Sequence, residues 1–347
     1  MRAPCVLVGR AQHRGMMRVL ALRLAVLTAL VPVPALAWGA AGHRTIGWAA
    51  VRALPAELPA FLRTPQAAAD VAELSREPDR SRGAGKTHDA DRDPAHHVDL
   101  DGGEGGLSLT ALPPTREDYD TALRAQGTTS WKVGYLPYAI VDRWQQLRLD
   151  FAYWRALDAA ERNPAWAGRR AWFVADRKRR EGLILHTLGE LSHFVGDGGQ
   201  PLHVTVHYNG WGNYPNPAGY TQARIHGPFE GALVYTFVQP KNVAARMTPP
   251  APCDCAVEVR VGAYLAESNR RVVPLYELEK AGGLEGGDLR GARFAAVQLA
   301  RSASELRDLI LMAWRDSPRE MIGWKPVLTA DILSGRVDPY DALYTVD

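Results

Sequence analysis

The sequence predicts an all-α fold, a single compact multi-helix domain with long site-bearing loops. Three observations lead there. Several segments space their apolar residues at the helical period, and no stretch alternates with a strand period for more than a few residues. The helical segments are also separated by runs rich in Gly, Pro and Asp, which punctuate a chain. With 347 residues and 46% hydrophobic content, the chain suits one large domain or two small ones. No internal repeat stands out.

The first 37 residues read differently from the rest. From Met17 the chain runs through a positive start and a short apolar stretch to Ala35-Leu36-Ala37. That is the form of a secretory signal peptide, with Met17 as a plausible true start and the cut before Trp38. The apolar run is too short and too interrupted by proline for a membrane anchor. Residues 1–37 are therefore expected to be removed, leaving 38–347 as one domain in a secreted or periplasmic protein. The charge agrees. The net +3 includes five arginines of residues 1–37, and without them 36 basic residues face 38 acidic ones. A broadly basic nucleic-acid surface is thereby excluded, and any phosphate binding must be local. Of three cysteines, Cys5 falls in the removed region. Cys253 and Cys255 are too few for a zinc site of their own, and both a local disulfide and a pair of free thiols stay open.

Along the mature chain, Ile46, Ala49, Ala50 and Ala53 share one helical face, and the helix stops at Pro55. Residues 76–115, rich in Asp, Arg, Gly and Pro, show no period and are expected to form a long functional loop. Tyr138–Glu161, Trp166–Arg179 and Glu181–Gly196 read as three helices, the last stopped by Gln200-Pro201. His207–Ala223 reads as a second irregular loop. Helices resume at Pro228–Phe237, Cys255–Leu278 and Leu289–Trp314, with Gly282–Gly287 as a loop before the last.

The chemistry-bearing residues fall at telling spacings. His193 and Asp197 are four apart, as are His226 and Glu230, so each pair shares a helix face. A histidine and a carboxylate so placed can clamp one metal or two neighbouring ones. One such pair is common on any surface; two, with His203 just after the first, are less so. Asp79, Arg82, His96, His97 and Asp99 lie on the first loop, where a solvated Asp/His-rich segment is the plainer reading of each alone. At Trp38, signal cleavage would free an α-amine that can chelate a metal together with its own carbonyl, and His43 could complete that set. His186 reads as structural, His207 as either a substrate contact or an exposed polar residue, and His88 as loop.

Taken together, these residues resemble the superfamily of zinc-dependent phospholipases C and fungal and plant single-strand-specific zinc nucleases. The resemblance is carried by Trp38 and His43, by Asp79 with Arg82, by His96, by the run His193-Phe-Val-Gly-Asp-Gly-Gly-Gln-Pro-Leu-His203, and by His226 with Glu230. It spans residues 38 to about 315. It implies a helical domain with three Zn(2+) ions. Asp79, His96, His193 and Asp197 would hold one, His203, His226 and Glu230 a second, and Trp38 with His43 the third, with Asp197 bridging the first and third. It further implies a phosphodiester hydrolase in which zinc activates water, Asp79 and Asp197 support the chemistry and Arg82 neutralises the phosphate.

Within the superfamily the spacings lean towards the nucleases. His43 follows Trp38 closely, the gap from His203 to His226 is long, and Asp79-x-x-Arg82 fits that branch. Glu230 fits the phospholipases, since the nucleases generally carry Asp there. The expected substrate is single-stranded DNA or RNA, or a 3′-nucleotide. The alternatives are a phospholipid and a non-enzymatic secreted zinc-binding protein, and no stable protein partner is implied. The expected substrate contacts are His97, Asp99, Trp211 and Asn213. Trp211 would either stack a base or cap its loop against the core. The family's histidine inside the Asp197–His203 run is replaced by Gly199.

Overall fold

A computed structural model describes residues 38–100, 112–286 and 288–344. The expected signal segment, its cut and Cys5 lie outside these. The described chain is 69% helical with almost no strand, as the all-α expectation has it.

Helix α1, Ala40–Arg52, turns a face of small and apolar residues inward, including Ile46, Ala49 and Ala50 together with His43. Helix α2, Pro65–Leu74, starts with a proline whose fixed φ suits the first turn, and the Thr64 hydroxyl accepts from the Ala67 amide at 3.0 Å. Neither this helix nor α3, Arg116–Ala125, is anticipated by the apolar period, though both have a threonine N-cap. Residues 76–115 are not one irregular loop either. Glu77–Arg80 and Lys86–Arg92 are short helices, and Asp93–His96 is a 3₁₀ turn. Pro78 and Pro94 each sit in a first turn. They start turns where a breaker was read.

Two long helices form the backbone of the site. Helix α4, Leu136–Arg162, packs along α5, Arg170–Gly199. The expected helices Trp166–Arg179 and Glu181–Gly196 are one continuous helix from Arg170 onward, preceded by a 3₁₀ turn at Pro164–Arg169. Buried Asp150 of α4 ties the pair, accepting from Arg180 Nη1 at 2.8 Å and Thr187 Oγ1 at 3.0 Å. From Leu191 to Gly199 every residue of α5 is buried, because α1, α2 and the last long helix close over it.

The expected helix Cys255–Leu278 is two, α6, Val257–Asn269, and α7, Val272–Lys280. Helix α8, Leu289–Asp316, packs on α1, α4 and α5 and carries the longest buried face. Its first turn is capped by Asp288, which accepts from the Arg290 amide at 2.8 Å. A short antiparallel ribbon, β1 (Met321–Ile322) and β2 (Val327–Leu328), pairs Met321 with Leu328 and Ile322 with Val327. Ile322 joins a small apolar cluster with Ala152 and Ala156 of α4. Cys253 and Cys255 are joined in a disulfide, one of the two states left open by the sequence. Among the described residues, no helix is long and apolar enough to cross a membrane.

Candidate metal centre

Six elements converge at the C-terminal end of α5. That helix brings His193 and Asp197, four residues apart and both fully buried. Helix α1 lays His43 against them, and the His43 and His193 rings stack at 4.1 Å. The approach is possible because residue 196 is glycine: a Cβ there would meet His43 Nδ1 at 2.9 Å. The short helix Glu77–Arg80 supplies Asp79, and the turn Asp93–His96 supplies His96. A 3₁₀ turn at Pro201–His203 supplies His203. The π-helical turn Pro228–Leu233 supplies Glu230 one turn after His226, and such widened turns recur at functional sites.

The Asp197 carboxylate joins two sides of the cluster. Its Oδ2 lies 3.0 Å from His96 Nδ1 and 3.2 Å from His193 Nε2. Its Oδ1 faces His43 Nε2 at 3.5 Å and His203 Nδ1 at 3.9 Å. Asp79 Oδ1 is 4.0 Å from His193 Nε2. In the other group, Glu230 Oε2 lies 2.7 Å from His226 Nε2 and 3.7 Å from His203 Nε2. The two imidazole Nε2 atoms themselves are 3.1 Å apart.

Three sets of donor atoms therefore lie within reach of a common ion: His43, Asp79 and His193; His96, His193 and Asp197; and His203, His226 and Glu230. The last is the set the sequence proposes. The first two share His193 and divide the remaining residues differently from the expected grouping, pairing His43 with Asp79. Three buried groups of His, Asp and Glu side chains could thus hold metal ions.

The hydrogen bonding says how these donors are prepared. His193 Nδ1 lies 2.9 Å from the Ser75 carbonyl, and His203 Nδ1 lies 2.6 Å from the His96 carbonyl. A carbonyl only accepts, so each Nδ1 carries a proton and donates. Each Nε2 is left to face the cluster, an arrangement that recurs for metal-binding histidines. His43 Nδ1 and Nε2, Asp79 Oδ1, Asp197 Oδ1, His226 Nδ1 and Glu230 Oε1 are buried without a hydrogen-bond partner. Buried polar atoms are ordinarily paired, so this concentration marks a site shaped for a ligand.

Electrostatics point the same way. Burial, then nearby His193, hold the His43 imidazole well below its ordinary pKa. Burial also lowers His96, against the pull of Asp197. Burial would raise the Asp197 carboxyl, yet His193 and His203 bring it well below the usual carboxylate range. Burial likewise opposes the charged form of His203, but Asp197 and Glu230 lift it to about 9.

Nothing in the comparisons with known proteins extends this picture, since no family model, no curated protein and no solved structure matches the chain.

The remaining predicted residues divide. Trp38 is fully buried, its ring 5.5 Å from Phe229, so the segment beginning there is docked and not frayed. Arg82 stands at the edge of the cluster, bonded to Asp93 Oδ1 at 2.9 Å and 3.5 Å from Asp79 Oδ1. His97 is half-buried and lowered to about 4, by burial first and then by His203 and His96. Its carbonyl accepts from Leu136 N at 3.2 Å, and the Asp99 amide donates to Val133 O at 2.7 Å.

Trp211 is the loop-capping alternative. It is 9% exposed, stacked on His207 at 3.8 Å, flanked by Tyr220 and Tyr276, and donates from Nε1 to Pro215 O at 2.9 Å. One ring face is taken by His207 and the ring is nearly buried, which fits the capping alternative of the two left open by the sequence. Asn213 is exposed nearby. His207 is buried by the same stack, with Nδ1 donating to Trp211 O at 2.6 Å, so it is not an exposed polar residue. His186 is exposed and 3.8 Å from Glu190, and His88 sits in a short helix beside Asp89.

Two supports escape the sequence reading. Gln200 donates from Nε2 to Glu230 Oε2 at 3.2 Å, although the sequence marks it only as a helix stop. Its place inside the His193–His203 run was the available signal. The Ser75 carbonyl has no side-chain signal at all. The glycine at 199, where the resembling family has histidine, is explained by packing: a Cβ would lie 1.9 Å from Ser302 Oγ and 2.5 Å from the Tyr264 hydroxyl.

Proposed function

We propose that this chain is a secreted zinc-dependent phosphodiester hydrolase, a nuclease acting on single-stranded DNA or RNA or on 3′-nucleotides. The observation that carries the reading is the convergence of eight buried or nearly buried histidine and carboxylate side chains, Asp197 and Glu230 among them, with ligand atoms left unpaired. The donor set is imidazole nitrogen and carboxylate oxygen with no thiolate, which suits zinc.

His96, His193, Asp197 and Asp79 would hold one ion. His203, His226 and Glu230 would hold a second. His43, with the amine and carbonyl of Trp38, would hold the third. When bound, such ions polarise phosphoryl oxygens and acidify water towards neutrality. The protein's own contribution is orientation. Ser75 and the His96 carbonyl fix two imidazole tautomers, and Gln200 steadies Glu230. Asp197, with one oxygen towards His96 and His193 and the other towards His43 and His203, would offer a ligand atom to each side. Arg82, held by Asp79 and Asp93, would offer its planar fork to the phosphate.

The nuclease preference rests on the spacings from Trp38 to His43 and from His203 to His226. Glu230 favours the second reading, a phospholipase C. Incubating one zinc-loaded preparation with single-stranded nucleic acid and with phospholipid vesicles decides between them. Acid-soluble nucleotides are expected. Release of diacylglycerol without nucleotides would transfer the proposal to the lipase, and neither product would defeat both.

A further inference from the structure

A cleft of about 190 Å³ is lined by Arg92, His96, Arg116, Tyr135, Arg143 and Phe194 among others. Ligand pockets for drug-sized molecules run to roughly 300–1,000 Å³, so this one suits a fragment the size of a sugar-phosphate. His96 is a wall common to the cleft and the metal centre, and Phe194, next to His193, lines it too. Whatever occupies it therefore lies beside His96, a donor of the candidate metal centre.

The cleft's charge is specific. Arg143 is paired with Glu190 at 3.2 Å. Arg92 and Arg116 form no salt bridge among the described residues. The Arg116 guanidinium lies over the Tyr135 ring, 3.5 Å from its centroid, and the Tyr135 hydroxyl donates to the Asp91 carbonyl. A cation held flat on an aromatic face loses little further freedom when it takes a ligand; Arg92 gives one N–H, from Nη1, to the His88 carbonyl at 3.1 Å and has others to offer. Asp142 and Glu190 also line the cleft, so its three arginines exceed its acids by one charge. That excess favours a second phosphate over a cationic head group.

We propose that this cleft is the subsite for the nucleotide next to the scissile phosphate, with Arg92 and Arg116 taking that neighbour's phosphate oxygens. The proposal rests on the phosphodiesterase reading and narrows it to substrates with more than one phosphate. It is placed by residues that the sequence-level resemblance does not include.

The test compares two substrates on the zinc-loaded protein whose first residue is Trp38. One is a single-stranded oligonucleotide, and the other is bis(p-nitrophenyl) phosphate, which has a single phosphate. For Arg92→Gln and Arg116→Gln, the ratio of kcat/KM on the oligonucleotide to that on bis(p-nitrophenyl) phosphate is expected to fall about 10-fold per arginine. The fall should sit in KM, and the salt dependence of kcat/KM should become shallower by about 0.7 in log–log slope per lost phosphate contact. Zinc content is measured alongside. An unchanged ratio, whether both activities hold or fall together, overturns the subsite while leaving the phosphodiesterase reading intact. If the unaltered protein cleaves neither substrate, the phosphodiesterase reading fails first and the subsite with it.

Discussion

Two imidazoles of the candidate metal centre have their outer nitrogen already committed. His193 and His203 each spend Nδ1 on a backbone carbonyl, so the inner nitrogen cannot turn away. Gln200 does the same for Glu230. Outer partners of this kind typically contribute 10–100-fold in metal affinity. Gln200→Leu is therefore expected to weaken zinc binding by about 10-fold or more, read by competition with a chromophoric chelator, with helical content by circular dichroism unchanged. An unaltered affinity would remove Gln200 from the site.

Protons compete for the same atoms. Without metal, Asp197 and Glu230 hold a proton on His203 up to about pH 9 despite burial. A bound ion must displace it, so the metal-bound state carries fewer protons than the metal-free one. Affinity consequently rises with pH until His203 is deprotonated near 9, and falls on acidification. Titrating zinc at several pH values should show this slope together with proton release. A flat profile between pH 6 and 9, about the range in which imidazoles titrate, would contradict the assignment of His203. At this scale the i,i+4 pairs were legible because the helical period fixes which side chains share a face. The orienting carbonyls were not, because every residue has one.

The helices show where sequence punctuation misleads. The gap expected between Arg179 and Glu181 does not exist: α5 runs through it and through Gly182. An interior glycine costs about 1 kcal/mol relative to alanine, which the long α4–α5 packing outweighs. The break between α6 and α7 falls at Arg270-Arg271 with neither Gly nor Pro to announce it. The glycines at the end of α5 have a different origin, since α1 and α8 press directly on that backbone. Gly199→Ala would drive a methyl into Ser302 Oγ and the Tyr264 hydroxyl, and overpacking of this sort costs about 1–3 kcal/mol. Urea unfolding should show that loss, and Ser302→Ala in the same chain should recover part of it. A neutral Gly199→Ala would mean that α8 yields easily there.

For the molecule as a whole, a helical single-domain scaffold was readable from periodicity and composition, while the short turns within 76–100 and the continuity of α5 were not. The division of donors among ions was less so, because His193 and Asp197 face more than one neighbour and spacing alone does not say which. The burial of Trp38 ties the start of the expected mature chain to the site. If secretion creates a ligand by freeing the Trp38 amine, the precursor is metal-poor and nearly inactive. The decisive measurement is the zinc-to-chain ratio, by elemental analysis, of protein beginning at Trp38 and of the same protein with one residue added ahead of it. Three zinc ions per chain are expected in the first and about two in the second, the difference being the one ion assigned to the Trp38 amine. Protein beginning at Trp38 that retains no zinc from a zinc-containing buffer would contradict the metal centre itself.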